Sequence, residues 1–331
     1  MQADRSSCCY LCNSRDVREL WHATDKKFRG PGKFTYWRCS RCGLLVLHPR
    51  PTDEALSQYY PDYVTPVQPS SSFRQRLKRM VAEDWYGYGA DRAAFIGLLR
   101  KAVTFPLRRL LHQVPRKRQG GRVLDIGCGS GGYLAFLANL GWTSYGVEPG
   151  PNSRGYAQRE LGLTVHQGQL AACNFPDQWF DVVTMWHTIE HVPDPLSVLR
   201  EIRRILKPDG AVMLSTPNID CADAVFFQDC WYALDAPRHC FLFSSRTIRL
   251  LLEQSGFTIS RLWYQYHPTV PARSLLYWLE EGGMTRTRNT LVRWSRSLEL
   301  GMAISTPLRR LLGQGDTIYL EARMSPSEAG A

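Results

Sequence analysis

The stretch Val123-Leu124-Asp125-Ile126-Gly127-Cys128-Gly129-Ser130-Gly131 decides the fold. β-Forming residues run into an acid, and glycine then recurs at every second position. A strand ending in such a loop must bring its backbone very close to something. Glycine permits this because it lacks a Cβ and tolerates positive φ. A helix is predicted from Tyr133 to Leu140, and its N-terminal N–H groups would point at whatever lies against the loop. A small ligand carrying a carboxylate or phosphate is the first expectation.

Working outward, residues 120–262 alternate strand and helix. Strands are predicted at Val123–Ile126, Tyr145–Glu148, Leu163–Gln167, Phe180–Trp186 and Ala211–Thr216. Leu196, Leu199, Ile202 and Ile205 recur at helical spacing, and Lys207-Pro208-Asp209-Gly210 halts that helix. The alternation predicts an α/β fold with a doubly wound parallel sheet and a ligand at the carboxyl ends of its strands. Phe257–Tyr266 and Thr317–Arg323 read as two further strands. No internal repeat is apparent.

The chain has 331 residues, 44% hydrophobic and 21% charged, which suits a globular protein with room for more than one module. The net charge of +11 is concentrated: Arg74 to Arg122 holds 13 Lys/Arg against 3 Asp/Glu, or +10. Such a segment favours an anionic partner, whether membrane surface, nucleic acid or phosphorylated substrate. No apolar run reaches the roughly 18 residues of a membrane-spanning helix, and Met1–Cys8 has no apolar signal core. A cytoplasmic setting is therefore expected, and in a reducing compartment paired cysteines point to metal before disulfides.

Cys9-Tyr-Leu-Cys12 and Cys39-Ser-Arg-Cys42-Gly43 are two such pairs. Four thiolates arranged tetrahedrally suit a structural Zn²⁺. Gly43 allows a tight turn after the second pair, and Asn13 can adopt the same left-handed turn after the first. Cys8 is a rival ligand. Between the pairs, Phe28, Phe34, Tyr36 and Trp37 suggest a hairpin with an aromatic face. The ribbon is not strongly basic, so a structural or substrate-covering role is preferred to a nucleic-acid finger. Residues 49–72 are rich in proline and serine and read as a linker, with Tyr59, Tyr60 and Tyr63 as an anchoring cluster. Residues 73–118 read as two basic amphipathic helices, either packed on the core or resting on anionic lipid. Arg273 to Gln314, with 7 Arg against 3 Glu, is a second amphipathic region. The expected division is a ribbon at 1–50, linker and basic helices at 51–118, a core at 119–266, and a helical insert with the last strand at 267–325.

Gly127, Gly129 and Gly132 also satisfy the dinucleotide fingerprint, and Glu148 suits a ribose diol in either case, so that pattern alone does not discriminate. Asp125 two residues before the first glycine, the alternate glycines to Gly131, and Glu190-His191-Val-Pro-Asp-Pro after the fourth strand point elsewhere. With Tyr145-Gly-Val-Glu148, Phe180-Asp-Val-Val and Leu206-Lys-Pro-Asp-Gly210, they resemble the class I S-adenosylmethionine-dependent methyltransferases, whose Rossmann-like sheet has seven strands. With its cysteine ribbon the arrangement is similar to bacterial cell-surface polysaccharide and sugar methyltransferases. More distantly, it resembles quinone-pathway O-methyltransferases.

The resemblance implies roles. Gly127, Cys128, Gly129 and Gly131 would bring backbone against the methionine part of S-adenosylmethionine. Asp125 would orient the loop and the amino group, and Glu148 would accept from the ribose hydroxyls. Gln169 and Leu170 match the adenine position, and Trp186 and His187 would line the cofactor. Many relatives carry an acid at the position of Gln169, whose amide oxygen can accept the same hydrogen.

His187-Thr-Ile-Glu190-His191 also fits an inverted zinc-protease motif, but Pro193 and Pro195 deny it the helix that motif needs. In quinone-pathway relatives an acid-x-x-Glu-His group is thought to hold a divalent cation. Here His187 replaces the first acid, which disfavours a hard cation. The catalytic candidates are His191 and His239 as base, with Glu190. Arg238 is expected to grip an acceptor phosphate or carboxylate. Phe226, Phe227, Trp231 and Tyr232 are candidates to stack on a sugar or ring, or are simply core. The expected reaction is O-methylation of a sugar or lipid-linked glycan at the inner membrane face. A quinone-type aromatic acceptor is the alternative. A zinc-ribbon nucleic-acid-binding protein is the reading from another class, with nucleic acid the less expected partner.

Overall fold

The computed structural model describes residues 8–52, 55–56, 58–60, 72–89, 100–105, 107, 113–303 and 315–325. Of the aromatic cluster, Tyr63 lies outside them. So do Phe95, Leu98, Leu99, Leu110 and Leu111 of the second basic helix, and Leu308 to Leu312 of the insert.

In chain order the elements are β1 (Val17–Ala23), β2 (Phe34–Cys39), β3 (Leu45–His48), α1 (Ser72–Trp85), β4 (Arg122–Ile126), α2 (Gly132–Ala138), β5 (Thr143–Glu148) and α3 (Pro151–Arg159). Next come β6 (Thr164–Gln167), β7 (Phe180–Trp186), α4 (Pro195–Ile205), β8 (Leu206–Pro217), α5 (Ala222–Phe227) and β9 (Phe241–Leu242). The chain continues through α6 (Ser245–Gln254), β10 (Phe257–Gln265), α7 (Thr269–Glu281), α8 (Thr285–Arg293), α9 (Ser295–Ala303) and β11 (Thr317–Met324). Two sheets form, one of four strands in the order β1-β2-β3-β9 and one of seven in the order β10-β11-β8-β7-β4-β5-β6. The second is the expected doubly wound sheet. β4 pairs in parallel with β5 and β7, and β11 pairs antiparallel with β10.

The chain folds as two compact units. One comprises Met1–Pro61, Trp186–Arg203 and Leu214–Ala331, and the other Asp62–Met185 with Arg204–Met213. The units cut across the linear division expected from the sequence.

The unit built on β4 has a core of strand residues buried on both faces. Val123, Leu124, Phe180, Val183 and Met185 are fully buried, which is why these strands read as continuous apolar runs. From β4 the chain steps to β5 and β6 on one side, then returns to β7 on the other. In doubly wound sheets such a reversal marks the carboxyl end of that strand as the ligand edge. The predicted strands match closely, with one difference. β8 begins at Leu206, upstream of the expected turn, and takes that turn in: Lys207 O folds back to 2.8 Å from where a Cβ on Gly210 would stand, while Lys207 Nζ lies 2.8 Å from Asp181 and Arg118 Nη1 2.8 Å from Asp209. The helix before it still stops where expected, at Ile205.

Part of the +10 segment is neutralised inside this unit. Arg100 pairs with Glu83 and Asp84, and Arg118 with Asp181 and Asp209.

The other unit holds the ribbon hairpin, β1 and β2 pairing antiparallel from Val17↔Cys39 to Ala23↔Phe34. β3 continues the sheet and takes β9 as its outer neighbour through Leu45↔Leu242 and Val46↔Phe241. One apolar cluster unites Tyr36, Leu45 and Leu47 of the ribbon with Ile219, Ala224, Trp231, Leu234 and Leu242. After β9, Ser244 caps α6 reciprocally with Thr247, which ends the β9 segment sharply.

Candidate active site

The glycine loop closes on itself before any ligand is considered. Gly127, Gly129 and Gly131 all take positive φ, 73°, 55° and 79°. At Gly131 a Cβ would stand 2.6 Å from Leu163 Cδ1 and 3.0 Å from Ala157, so conformation and space both demand glycine. The N–H groups of Gly127 and Cys128 donate to Val147 O on β5. Glu148, at the end of β5, accepts from Gly129 N–H and Gly150 N–H at 2.8 Å each, one on each carboxylate oxygen. The acid expected to hold a ribose therefore also braces the loop, and each oxygen keeps a lone pair for a diol.

Asp125 is 3% exposed, and Thr184 Oγ1 on the paired strand β7 donates to its Oδ1 at 2.6 Å. Burial is the main cause that pushes its carboxyl up to about 7. Such an acid needs a cation to ionise comfortably, and an amino group is one. These residues fit S-adenosylmethionine: a diol acceptor at Glu148, a buried acid for the ammonium, and backbone with no Cβ between them. Gln169 begins a turn after β6 in extended conformation and is exposed, while the Leu170 side chain is buried.

In the other unit, Trp186 ends β7 beside Tyr319, with ring centroids 6.0 Å apart. His187 follows at φ 51°, held by its N–H donating to Ser215 O, and its Nδ1 lies 3.3 Å from Glu190 Oε1. Glu190 is fully buried, and neither carboxylate oxygen accepts a hydrogen bond of good geometry. Burial pushes its carboxyl up, but the surrounding imidazoles, His187 foremost, outweigh that and hold it low. The Glu190 carbonyl accepts from Cys240 N–H and Phe241 N–H, tying the 238–241 segment down.

His191 Nδ1 lies 3.0 Å from Arg238 O and 2.9 Å from Tyr60 Oη, and His239 Nδ1 lies 2.9 Å from Ala233 O. A carbonyl only accepts, so both imidazoles carry their proton on Nδ1 and present Nε2 as a lone pair. Their rings meet edge to face at 4.5 Å. His239 Nε2 lies 4.0 Å from Glu190 and 3.9 Å from Asp235. Burial, then the neighbouring His191, brings His239 down to about 4; burial also lowers His191. The structure thus brings together all three catalytic candidates. One ligand atom from each of Glu190, His191 and His239 lies within 4.8 Å of the others, a spacing that a shared cation would also satisfy.

Arg238 departs from expectation. It is 2% exposed and spends its guanidinium on Asp25 (2.7 and 2.9 Å), Asp235 (2.6 and 3.1 Å) and Tyr59 O (3.1 Å). Its role is to lock the segment carrying His239, with no donor left for a substrate anion. Trp231 and Phe227 are core, whereas Phe226 is 69% exposed.

The ribbon cysteines converge. Cys9, Cys12, Cys39 and Cys42 place their Sγ atoms within 4.8 Å of one another, and Cys8 is outside the group. Cys9–Cys42 and Cys12–Cys39 are each 3.5 Å apart, near the roughly 3.8 Å edge of a tetrahedron with Zn–S of about 2.3 Å. The two turns match: Asn13 N–H donates to Cys9 O and Gly43 N–H to Cys39 O, with φ 55° and 89°. The donor set fits Zn²⁺. Sequence reasoning missed Asp25 and Thr184, and noted Tyr60 without its role. Only the proline-rich flank of Tyr60 hinted at an anchored aromatic.

A parallel sheet with a glycine loop, a buried acid before it and an acid at the end of the next strand suits a nucleoside cofactor. Residues 98–262 match the family described as a methyltransferase domain, and this part of the chain belongs to the S-adenosylmethionine-dependent methyltransferases. Curated relatives include a ubiquinone biosynthesis O-methyltransferase of Methylococcus capsulatus, 39% identical over 119 residues, 34% of this chain and 50% of that protein. Another, from Haemophilus ducreyi, is 40% identical over 111 residues, 30% of this chain and 46% of that protein. The chain thus spans about half the length of the curated relatives it matches. A solved methyltransferase structure from Thermotoga maritima, described as a possible histamine N-methyltransferase, aligns over 76% of this chain and 97% of its own at 18% identity. Its TM-score of 0.44 is too low to bear on function.

Proposed function

We propose that the chain transfers a methyl group from S-adenosylmethionine to a hydroxyl, with a quinone-type phenolic acceptor. The observation that carries the donor assignment is the pairing of Asp125 and Glu148 around the glycine loop. The acceptor class rests on the named activity of the relatives at about 40% identity. The ribbon, outside the matched segment, favours the second reading, a sugar or lipid-linked glycan hydroxyl. The expected setting is an anionic membrane face.

The bound cofactor supplies a methyl group on a positively charged sulfur, open to in-line displacement. The chain's own work is to orient the acceptor and take its proton. His191 is the better base. It is less buried than His239, its Nδ1–H is anchored on Arg238 O, and its Nε2 lone pair is available. His239, brought down to about 4, is neutral at pH 7 and accepts a hydrogen bond rather than a proton. Glu190 offsets the charge that His191 gains. In this reading Gln169 and Leu170 line the cofactor, and zinc in the ribbon is structural.

Calorimetry tests the donor. Glu148→Ala should weaken S-adenosylmethionine binding about ten- to a hundredfold, the worth of hydrogen bonds to a charged group. An unchanged Kd sinks the assignment. Binding should also strengthen as pH rises from 6 towards 8, because Asp125 must ionise to meet the ammonium and its free carboxyl sits at about 7. His191→Gln should cost about 10²- to 10⁴-fold in kcat with cofactor affinity unchanged. The wild-type rate should be flat through neutral pH and fall below about 6.5, the ordinary imidazole value, since His191 is lowered. Turnover of a catechol but not of a nucleotide sugar supports the phenolic acceptor; the reverse selects the glycan reading.

A further inference from the structure

Helix α8 buries none of its residues. A helix with no buried face in a folded chain needs another reason to be there. From Gly282 to Ala303, through both helices, the sequence carries Arg286, Arg288, Arg293 and Arg296 against one acid, Glu299. Arg288 reaches Glu280 at 3.3 Å. Arg286, Arg293 and Arg296 have no acidic partner among the described residues. Beside these cations stand large apolar side chains in water: Trp294 at 64% and Leu300 at 70% exposed, with Val292 and Trp278 also exposed. α8 and α9 both pack on α7, and α5, which packs there too, adds exposed Val225 and Phe226.

We propose that α8 and α9, flanked by α5 and α7, form a docking surface for an anionic phospholipid bilayer. A tryptophan and aliphatic residues interleaved with unpaired arginines make the signature of a helix lying in the interface plane. Its apolar side chains enter the acyl boundary and its guanidinium groups meet phosphates. A protein partner would call for a compact apolar centre with charge depleted from it, and here the charges stand between the apolar residues. Nucleic acid would use the arginines but gains nothing from Leu300, Val225 or Val292. No helix among the described residues is long and apolar enough to cross a membrane, so the association is peripheral. The surface differs from the Arg74–Arg122 segment, where Arg100 and Arg118 are already paired. The proposal rests on the membrane-face part of the reading above and not on its methyl-transfer part.

Flotation of the full chain with vesicles tests it. The protein should float with phosphatidylcholine vesicles containing about 30% phosphatidylglycerol and not with phosphatidylcholine alone, and salt should weaken the association. Arg293→Gln with Arg296→Gln should cut partitioning at least tenfold, at about fivefold per arginine. Trp294→Ala should cut it separately. S-Adenosylmethionine binding, measured on the same preparations, should not change in either variant. Cofactor binding without flotation overturns the surface and leaves the donor assignment standing; flotation without cofactor binding does the reverse. Self-association abolished by Trp294→Ala in the absence of vesicle binding would assign the face to a second copy and overturn the proposal. An RNA shift at physiological salt without vesicle binding would overturn it equally.

Discussion

Cys39→Ser protein is expected to lose the zinc that the wild-type chain carries at about one per molecule, and to unfold its first sheet. Structural zinc contributes about 10–16 kcal/mol to folding in isolated zinc-finger peptides, far more than one hydrogen bond or apolar contact. The four sulfurs lie close together on two matched turns, so losing one leaves three that cannot close the tetrahedron. Elemental analysis of both proteins, with thermal melts before and after chelator, measures the effect. Metal absent from both, or a Tm that ignores the chelator, would rule out the zinc. A second equivalent of metal, kept in the Cys39→Ser protein and lost in His239→Gln, would mean that Glu190, His191 and His239 share a cation.

Arg238→Met should cost about 3–5 kcal/mol of stability, because it strands two buried carboxylates. Asp25 and Asp235 are 3% exposed or nearly as buried, and their principal cation is the one removed. Burial alone would raise both acids. At Asp25 the Arg238 guanidinium overcomes it, and at Asp235 His239 and Arg238 do so together. Both carboxyls are therefore lower folded than unfolded. The stability they contribute is fully present above the ordinary carboxylate range near 4 and is lost as pH falls below it towards the folded values. Denaturant titration at pH 7 and about pH 3 should show the gap between wild type and Arg238→Met narrowing in acid. Adding Asp25→Asn to Arg238→Met should restore part of the loss. A single-variant cost below about 1 kcal/mol would mean the network is solvated and the locking role is wrong.

These two residues mark where sequence reading stops. The glycine loop, Glu148 and the two cysteine pairs were legible because their chemistry depends on spacing along a few residues. Glu190-His191 was legible for the same reason. Thr184 was not, since its meeting with Asp125 depends on the register between β4 and β7, which no local period records. Asp25 stands 213 positions from Arg238, and a lone acid in a loop gives no sign of its partner. Arg238 showed as a cation next to a candidate base, and without Asp25 in view an anionic substrate was the natural counterpart. The turn at Lys207–Gly210 was legible from Pro208 and Gly210, whereas the start of β8 before it, at Leu206, was not.

The pairing of β3 with β9 reaches beyond stability. Tyr36 of the ribbon donates to the His239 carbonyl at 2.7 Å, and Leu47 N–H donates to Cys240 O. The first fifty residues and the segment bearing His239 are thus stitched into one sheet, although almost two hundred positions separate them in the chain. Such an N-terminal segment is not a cassette. Recombination near residue 50 that brought in a foreign ribbon would strip β9 of its neighbour and unseat His239, even with every glycine-loop residue intact. The ribbon and the 238–241 segment should therefore be inherited, and should vary, as a single unit.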